Sequence, residues 1–299
     1  MDFCRVPPSG ALHDLEHIWN YALPPFRIGP HVYGVGGNND VSVYLLDSGK
    51  GLILLDTGMK ELLYLIIDSI HRLGFDPRQI KAILISHGHG DHCNGAMALH
   101  ALTGAEIWMN AVDEVFYRQH PIPELGYVPF PVHHHFGDGE VFSMGRFHIR
   151  TRFTPGHTPG TTSFFFTDTD EETGKTWRLA MHGGVGADTM RPAALRALGL
   201  PERLAHQFIG DCEALAEEPV DICLPSHLNQ TNLAANLPEN PMDYTPLIAP
   251  EVWPALMKER AAAVKAFYPD TYGIQASPVA FSDESGILNT TSSAPSGTA

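Results

Sequence analysis

At 299 residues with 43% apolar side chains, the chain is long enough to bury a large core. Its 19 Lys and Arg against 34 Asp and Glu give a formal charge of −15 with no basic cluster, which argues against a nucleic-acid partner. No run of about 18 apolar residues could span a bilayer, no basic-then-apolar leader is visible, and Cys4, Cys93, Cys212 and Cys223 lack paired spacing, so the expectation is a cytoplasmic protein without membrane partners.

Residues 1–24 are read as an N-terminal extension, with His13 and His17 four apart on a short helical stretch. Over residues 30–56 the runs HVYGVGG, VSVYLLDSGKG and LILLDTG alternate β-branched and aromatic side chains with Gly-rich turns, predicting three short strands joined by hairpins. Next, Leu62, Leu63, Ile66, Ile67, Ile70 and Leu73 fall on one helical stripe, closed by Gly74 and Pro77. The unbroken apolar run of residues 81–86 predicts a buried strand that feeds directly into SHGHGDH. A helix over 94–102, a strand over 105–110 and a helix over 111–119 follow, then a long Pro-rich loop of the kind that lines a site. Strands are predicted at 141–144, 147–153, 161–167 and 176–181, with His157 in the Pro/Gly turn before the third of these. A Gly-rich loop at 182–186, helices near 193–198 and 201–217, the strand DICLP leading to Ser226 and His227, and a helix over 250–268 complete the pattern. Strands mixed with covering helices predict a layered α/β sandwich with one core, assigned to residues 25–275, followed by a low-complexity Ser/Thr/Gly/Pro-rich tail at 276–299.

Seventeen histidines are the compositional outlier, and their positions carry the chemistry. His87, His89, Asp91 and His92 follow a buried strand within six residues, where alternation sends His87 and His89 the same way while Asp91 and His92 step around the turn. Imidazole with carboxylate suits zinc best, with iron or manganese also compatible. His157 and His227 sit at two further strand mouths, and an α/β sandwich gathers strand ends along one edge, so one shared site is expected. Cys93 reads as a small buried thiol, and the triplet His133, His134 and His135 as a loop segment that could overhang the site.

Through VYGVGG, LILLDTG and SHGHGDH, then TPGHTPGTTSF and LPSH, the chain resembles the metallo-β-lactamase superfamily over roughly residues 25–230. Motif order and spacing are closest to the third subclass of metallo-β-lactamases and their non-lactamase relatives. The resemblance implies a four-layer αββα sandwich holding two zinc ions, one on His87, His89 and His157 and the other on Asp91, His92 and His227. It also implies that such ions lower the pKa of a shared water toward about 7, that Asp91 steers the nucleophile's proton, and that Asp56 orients a ligand. Many superfamily members carry a bridging Asp, and some lactamases a Cys, where this chain has His182 followed by Gly183 and Gly184. The third subclass also lacks that bridge, but the serines with which it grips the substrate carboxylate are Gly or Val here. His182 is accordingly a candidate ligand, substrate contact or supporting group.

The function expected is hydrolysis of a small-molecule ester or amide, such as a lactone or β-lactam ring, with room for a homo-oligomer. Phosphodiester or thioester hydrolysis by the same ions is the alternative, and a degenerate metal-free scaffold the non-enzymatic one. Residues 119–139 and 228–244 are expected to carry specificity.

Overall fold

The computed structural model describes residues 22–273 except Asn39 and Glu124, so His13, His17 and the 276–299 tail lie outside the described residues, as does the predicted extension before residue 22. Four strands open the fold: β1 (Phe26–Gly29), β2 (Val32–Gly34), β3 (Tyr44–Asp47) and β4 (Leu52–Leu55). The last three are those predicted from the alternating runs; β1 is additional, its apolar residues too few to announce it. A 3-10 turn leads into α1 (Leu63–Arg72), whose Ile66 and Ile70 are fully buried on the predicted stripe. Then come β5 (Ile80–Leu84), α2 (Gly90–Cys93), α3 (Ala96–Thr103), β6 (Glu106–Met109), α4 (Ala111–Gln119) and β7 (His134–His135). The second half holds β8 (Val141–Met144), β9 (Phe147–Phe153), β10 (Thr162–Thr169), β11 (Thr176–Met181), α5 (Pro192–Ala197), α6 (Arg203–Leu215), β12 (Ile222–Cys223), α7 (Val252–Lys265) and α8 (Pro269–Tyr272).

These strands make two mixed sheets, β1 to β7 in sequence order and β12-β11-β10-β9-β8. Period-two alternation explains why both sheets are covered on both faces. On β3 and β4, Tyr44, Leu46, Ile53 and Leu55 turn toward the other sheet, while Leu45, Leu52 and Leu54 pack with Ile66 and Ile70 of α1 and Leu99 of α3. On β10 and β11, Phe164, Phe166, Leu179 and Met181 join the layer between the sheets, whereas Phe165 and Ala180 face Phe208 of α6 and Trp253 of α7. The result is the expected αββα sandwich, with helices outside and an aromatic-rich layer within. Among the described residues no helix is long and apolar enough to cross a membrane.

One departure bears on the site. The segment 120–140 is not wholly a loop, because His134 and His135 pair with Trp108 and Met109 as a short edge strand. This pins the histidine triplet away from the metal-type cluster. His133 Nδ1 accepts the Ile107 N–H and its ring lies against His100, His134 stacks on Trp108 at 4.1 Å, and His135 binds Glu114. Phe164, fully buried between the sheets with its ring 5.6 Å from Phe136, tests the sandwich interior. Phe164→Ala is expected to cost about 3–5 kcal/mol, read as a lower denaturant midpoint with an unchanged slope.

Candidate metal centre

β4, β5, the turn before β10 and the segment after β12 all end at one edge of the sandwich. After β5 the chain passes Ser86 and His87, bends at Gly88, is extended at His89, and then turns into α2 with Asp91 and His92 in its single turn. His157 arrives from the turn between β9 and β10, and His227 from the segment after β12, held against the first sheet by a bridge to Val41 and by the Ser42 N–H donating to Ser226 O. The sequence-predicted residues fall into two groups, His87 with His89 and His157, and Asp91 with His92 and His227; within each, one donor atom per residue lies within 4.8 Å of the others. His89 Nδ1 stands 3.0 Å from His157 Nε2, and His92 Nε2 stands 3.0 Å from His227 Nε2. Asp91 Oδ2 is 3.5 Å from both Nε2 atoms of its group. The two groups adjoin, with the His87 and His92 rings 4.2 Å apart.

What lies behind the rings fixes which nitrogen carries hydrogen. His92 Nδ1 is 2.9 Å from Asp56 Oδ2 and His227 Nδ1 is 2.9 Å from Asp40 Oδ1; a carboxylate only accepts, so both Nδ1 atoms donate, which makes Nε2 the lone-pair atom of each ring in its neutral form. His157 Nδ1 likewise donates to Gly186 O at 2.9 Å. Ser86 Oγ donates to Asp56 Oδ2 at 2.7 Å and accepts from His87 Nδ1 at 3.0 Å, leaving His87 Nε2 buried with no hydrogen-bond partner among the described residues. The Nε2 atoms of His92 and His227 and the Asp91 carboxylate therefore converge, and two imidazoles with one carboxylate are the donor chemistry of a zinc site.

Protonation agrees. Burial pushes His87 and His157 well below the ordinary histidine range, with neighbouring imidazoles adding to the fall, and pushes His89 down to about 4. All three are neutral at pH 7, the form that ligates.

Asp56 supports this centre from beneath, and Asp40 and Ser86 do so without having been singled out in the sequence. Asp40 lies 187 residues from the histidine it orients, and nothing in the GGNND run marks it. His182 joins neither group. It is buried, its Nδ1 accepts the Gly184 N–H at 3.2 Å, and its ring meets Phe208 edge-on. Its link to the centre is the glycine loop it holds: a Cβ on Gly184 would lie 2.5 Å from His157 Cδ2, and one on Gly186 2.7 Å from His157 Cε1.

In front of the cluster opens a cleft of about 490 Å³. Phe116, Ile122 and Leu125 form one wall, within or beside the predicted 119–139 segment. Val185, Ala194, Leu198 and Phe267 line it as well, with Arg260 and Gln230 as polar points. The 228–244 segment contributes Gln230 to the cleft, while Leu233 and Tyr244 pack into the layer between the sheets.

Residues 36–171 match the family model described as Metallo-beta-lactamase superfamily. That stretch, a little under half of the chain, is similar to the metallo-beta-lactamase superfamily. Among curated members, a Bacillus velezensis protein named probable polyketide biosynthesis zinc-dependent hydrolase is 32% identical over 103 residues, 34% of this chain and 40% of that protein. A hydroxyacylglutathione hydrolase of Haemophilus influenzae is 27% identical over 148 residues, 47% of this chain and 66% of that protein. The chain thus spans less than two-thirds of either relative. Among solved superfamily structures, the subclass B3 metallo-beta-lactamase of Bradyrhizobium japonicum superposes with a TM-score of 0.72 at 23% identity, covering 86% of this chain and 97% of that one. The native FEZ-1 metallo-beta-lactamase from Legionella gormanii does so with a TM-score of 0.74 at 23% identity, covering 84% and 98%. These likenesses establish the superfamily's sandwich as the fold.

Burial pushes His182 down to about 3, with Arg152 adding to the fall. The unfolded chain takes up this proton below about 6.5 and the folded one does not until about 3, so the stability His182 contributes is present above pH 6.5 and lost as pH falls through that window. Denaturant unfolding of the metal-free protein at pH 7.5 and 5 should show the wild type losing about 2 kcal/mol more than His182→Gln over that step. Parallel losses would mean that His182 titrates as an ordinary histidine.

Proposed function

We propose that the chain is a metal-dependent hydrolase that holds two zinc ions, one on His87, His89 and His157 and the other on Asp91, His92 and His227, and opens a small ester or amide such as a lactone or β-lactam ring. The observation that carries this reading is the gathering of one donor atom each from His87, His89 and His157, and from Asp91, His92 and His227, within 4.8 Å of one another in each group. Iron or manganese would suit the same nitrogen and oxygen donors. Held by these residues, metal ions would supply activated water at neutral pH and a charge to polarise a scissile carbonyl, so no protein nucleophile is required.

The chain's own residues do the rest. Asp91, in contact with the cleft and with both histidines of its group, is placed to take the nucleophile's proton and hand it toward the leaving atom. Asp56 and Asp40 keep the ligand rings in one tautomer. The apolar walls exclude water from a cleft of the volume that suits a small molecule, and Arg260 and Gln230 offer points that orient it. An acidic chain of net charge −15 is a poor partner for a polyanion, which sets phosphodiesters of nucleic acids lower. Thioester hydrolysis is the second reading, favoured by relatives named hydroxyacylglutathione hydrolase in Haemophilus influenzae and Albidiferax ferrireducens.

Rates on a chromogenic cephalosporin, an acyl lactone, a thioester and bis-p-nitrophenyl phosphate, measured side by side on zinc-loaded protein, separate these substrates. Turnover is expected on one of the first two; fast phosphodiester cleavage with neither ring opened would overturn the ranking. His89→Ala should fold like the wild type and lose at least about 100-fold in rate together with bound zinc. Wild-type rates and zinc content in that variant would remove His89 from the centre.

A further inference from the structure

Asp113 lies on α4, outside every motif singled out in the sequence, and its side chain is fully buried. Its carboxylate collects three donors from two loops. Oδ2 accepts the Gly88 N–H at 2.7 Å and the Thr158 hydroxyl at 2.6 Å, and Oδ1 accepts the Gly160 N–H at 2.6 Å. Gly88 is the residue between His87 and His89, and Thr158 follows His157. One buried anion therefore grips both segments that carry the first histidine group, without touching an imidazole itself.

The fit around it is tight. A Cβ on Gly88 would lie 2.9 Å from Asp113 O and 3.0 Å from Tyr117 Cβ, and one on Gly160 would lie 2.7 Å from Asp113 N and 2.8 Å from Asp113 Oδ1. Both loops thus press their backbones onto the first turn of α4, which only glycine permits. At their bases the two segments share a further tie, the Thr162 N–H donating to Ser86 O at 2.8 Å. Asp113 supplies the second tie, adjoining the histidines, and two ties rather than one are needed to fix the separation and tilt of two segments. Burial pushes Asp113 up to about 6 against the pull of its hydrogen bonds, so at pH 7 it is still the acceptor that all three donors need. Asp91, His92 and His227 have their own supports in Asp56 and Asp40.

We propose that Asp113 is a positioning residue that sets the gap between the His87-Gly88-His89 segment and His157, and thereby the affinity of that group, but not of Asp91, His92 and His227, for its ion. The proposal rests on the two-ion reading above. Asn at this position keeps the shape but offers one acceptor oxygen, so its amide confronts the Gly160 N–H or, turned over, the Gly88 N–H, and the joint grip on both loops is lost while volume is preserved.

The test is zinc titration against a competing chelator on metal-free protein, with the step abolished in His89→Ala marking the His87, His89 and His157 group. Asp113→Asn is expected to weaken that step by about 10-fold or more and to leave the other within about 2-fold, the range seen when an outer partner of a ligand is removed. Cobalt substitution gives an independent readout, as the ligand-field bands of that same site should shift. Thr158→Val, which removes one of the three donors and is the milder change for folding, should move the same step in the same direction by less. Equal weakening of both steps, or an unchanged titration in Thr158→Val, overturns the positioning role. A wild-type protein that takes up no ion removes the two-ion reading, and this proposal with it.

Discussion

Asp56 leaves β4 at a φ of 61°, a left-handed backbone that a non-glycine residue adopts at a cost of about 1–2 kcal/mol. In that posture its carboxylate, wholly buried, turns to the neighbouring strand end: Oδ1 accepts the Ser86 N–H at 2.7 Å, and Oδ2 accepts both the Ser86 hydroxyl and His92 Nδ1. Through Ser86 the same group reaches His87. One member of each ligand group is therefore oriented from a single anion, and their spacing follows from the pairing of β4 with β5 beneath them. An unpartnered buried carboxylate would be severely destabilising; here three donors offset the burial, and the backbone strain is the cost of presenting the oxygens at the right angle.

That arrangement governs electronics as much as geometry. A ring that donates through Nδ1 to a carboxylate becomes more basic at Nε2, and it cannot flip without breaking the bond behind it. His92 and His227 are both treated this way, by Asp56 and Asp40, while His157 is held by a peptide carbonyl and by glycines packed flat on its ring. The two groups are therefore not equivalent. One is backed by anions, the other by neutral acceptors and close packing, so the Asp91 group carries more negative potential.

Much of this was legible in the sequence, for definable reasons. Four fully buried residues in LILL and an apolar run into SHGHGDH can only be central strands, and strand ends carrying His or Asp advertise a site. The six histidine and aspartate positions flagged there do gather into two clusters. Other features left no local mark. β1 is four residues long, and the edge strand β7 is a two-residue pairing decided by Trp108 and Met109, so its histidines could not be told from a loop. Asp40 and Asp113 act on partners far along the chain, and a lone Asp in a turn or on a helix has no periodicity to betray it. The cleft wall from α5 and Phe267 is likewise a matter of which helix end meets which sheet edge, information carried by packing and not by pattern.

The centre also sits on the seam of the sandwich. His87, His89, Asp91 and His92 belong to the first sheet, with Asp56 and Asp40, whereas His157 and His227 come from the ends of strands in the second. Each cluster thus takes members from both sheets, so neither can form until the two halves have packed. The layer between them, built from Phe147, Phe164, Phe166 and the apolar faces of β3 to β5, is what brings the halves into contact, and it does so without any directional bond. Direction is supplied at the rim, by the Val41 bridge to His227 and the Ser86 bond to Thr162. In the two-ion reading proposed above, a donor set divided across a packing interface couples ion affinity to the closeness of that interface, because binding energy and folding energy are then drawn from the same contacts.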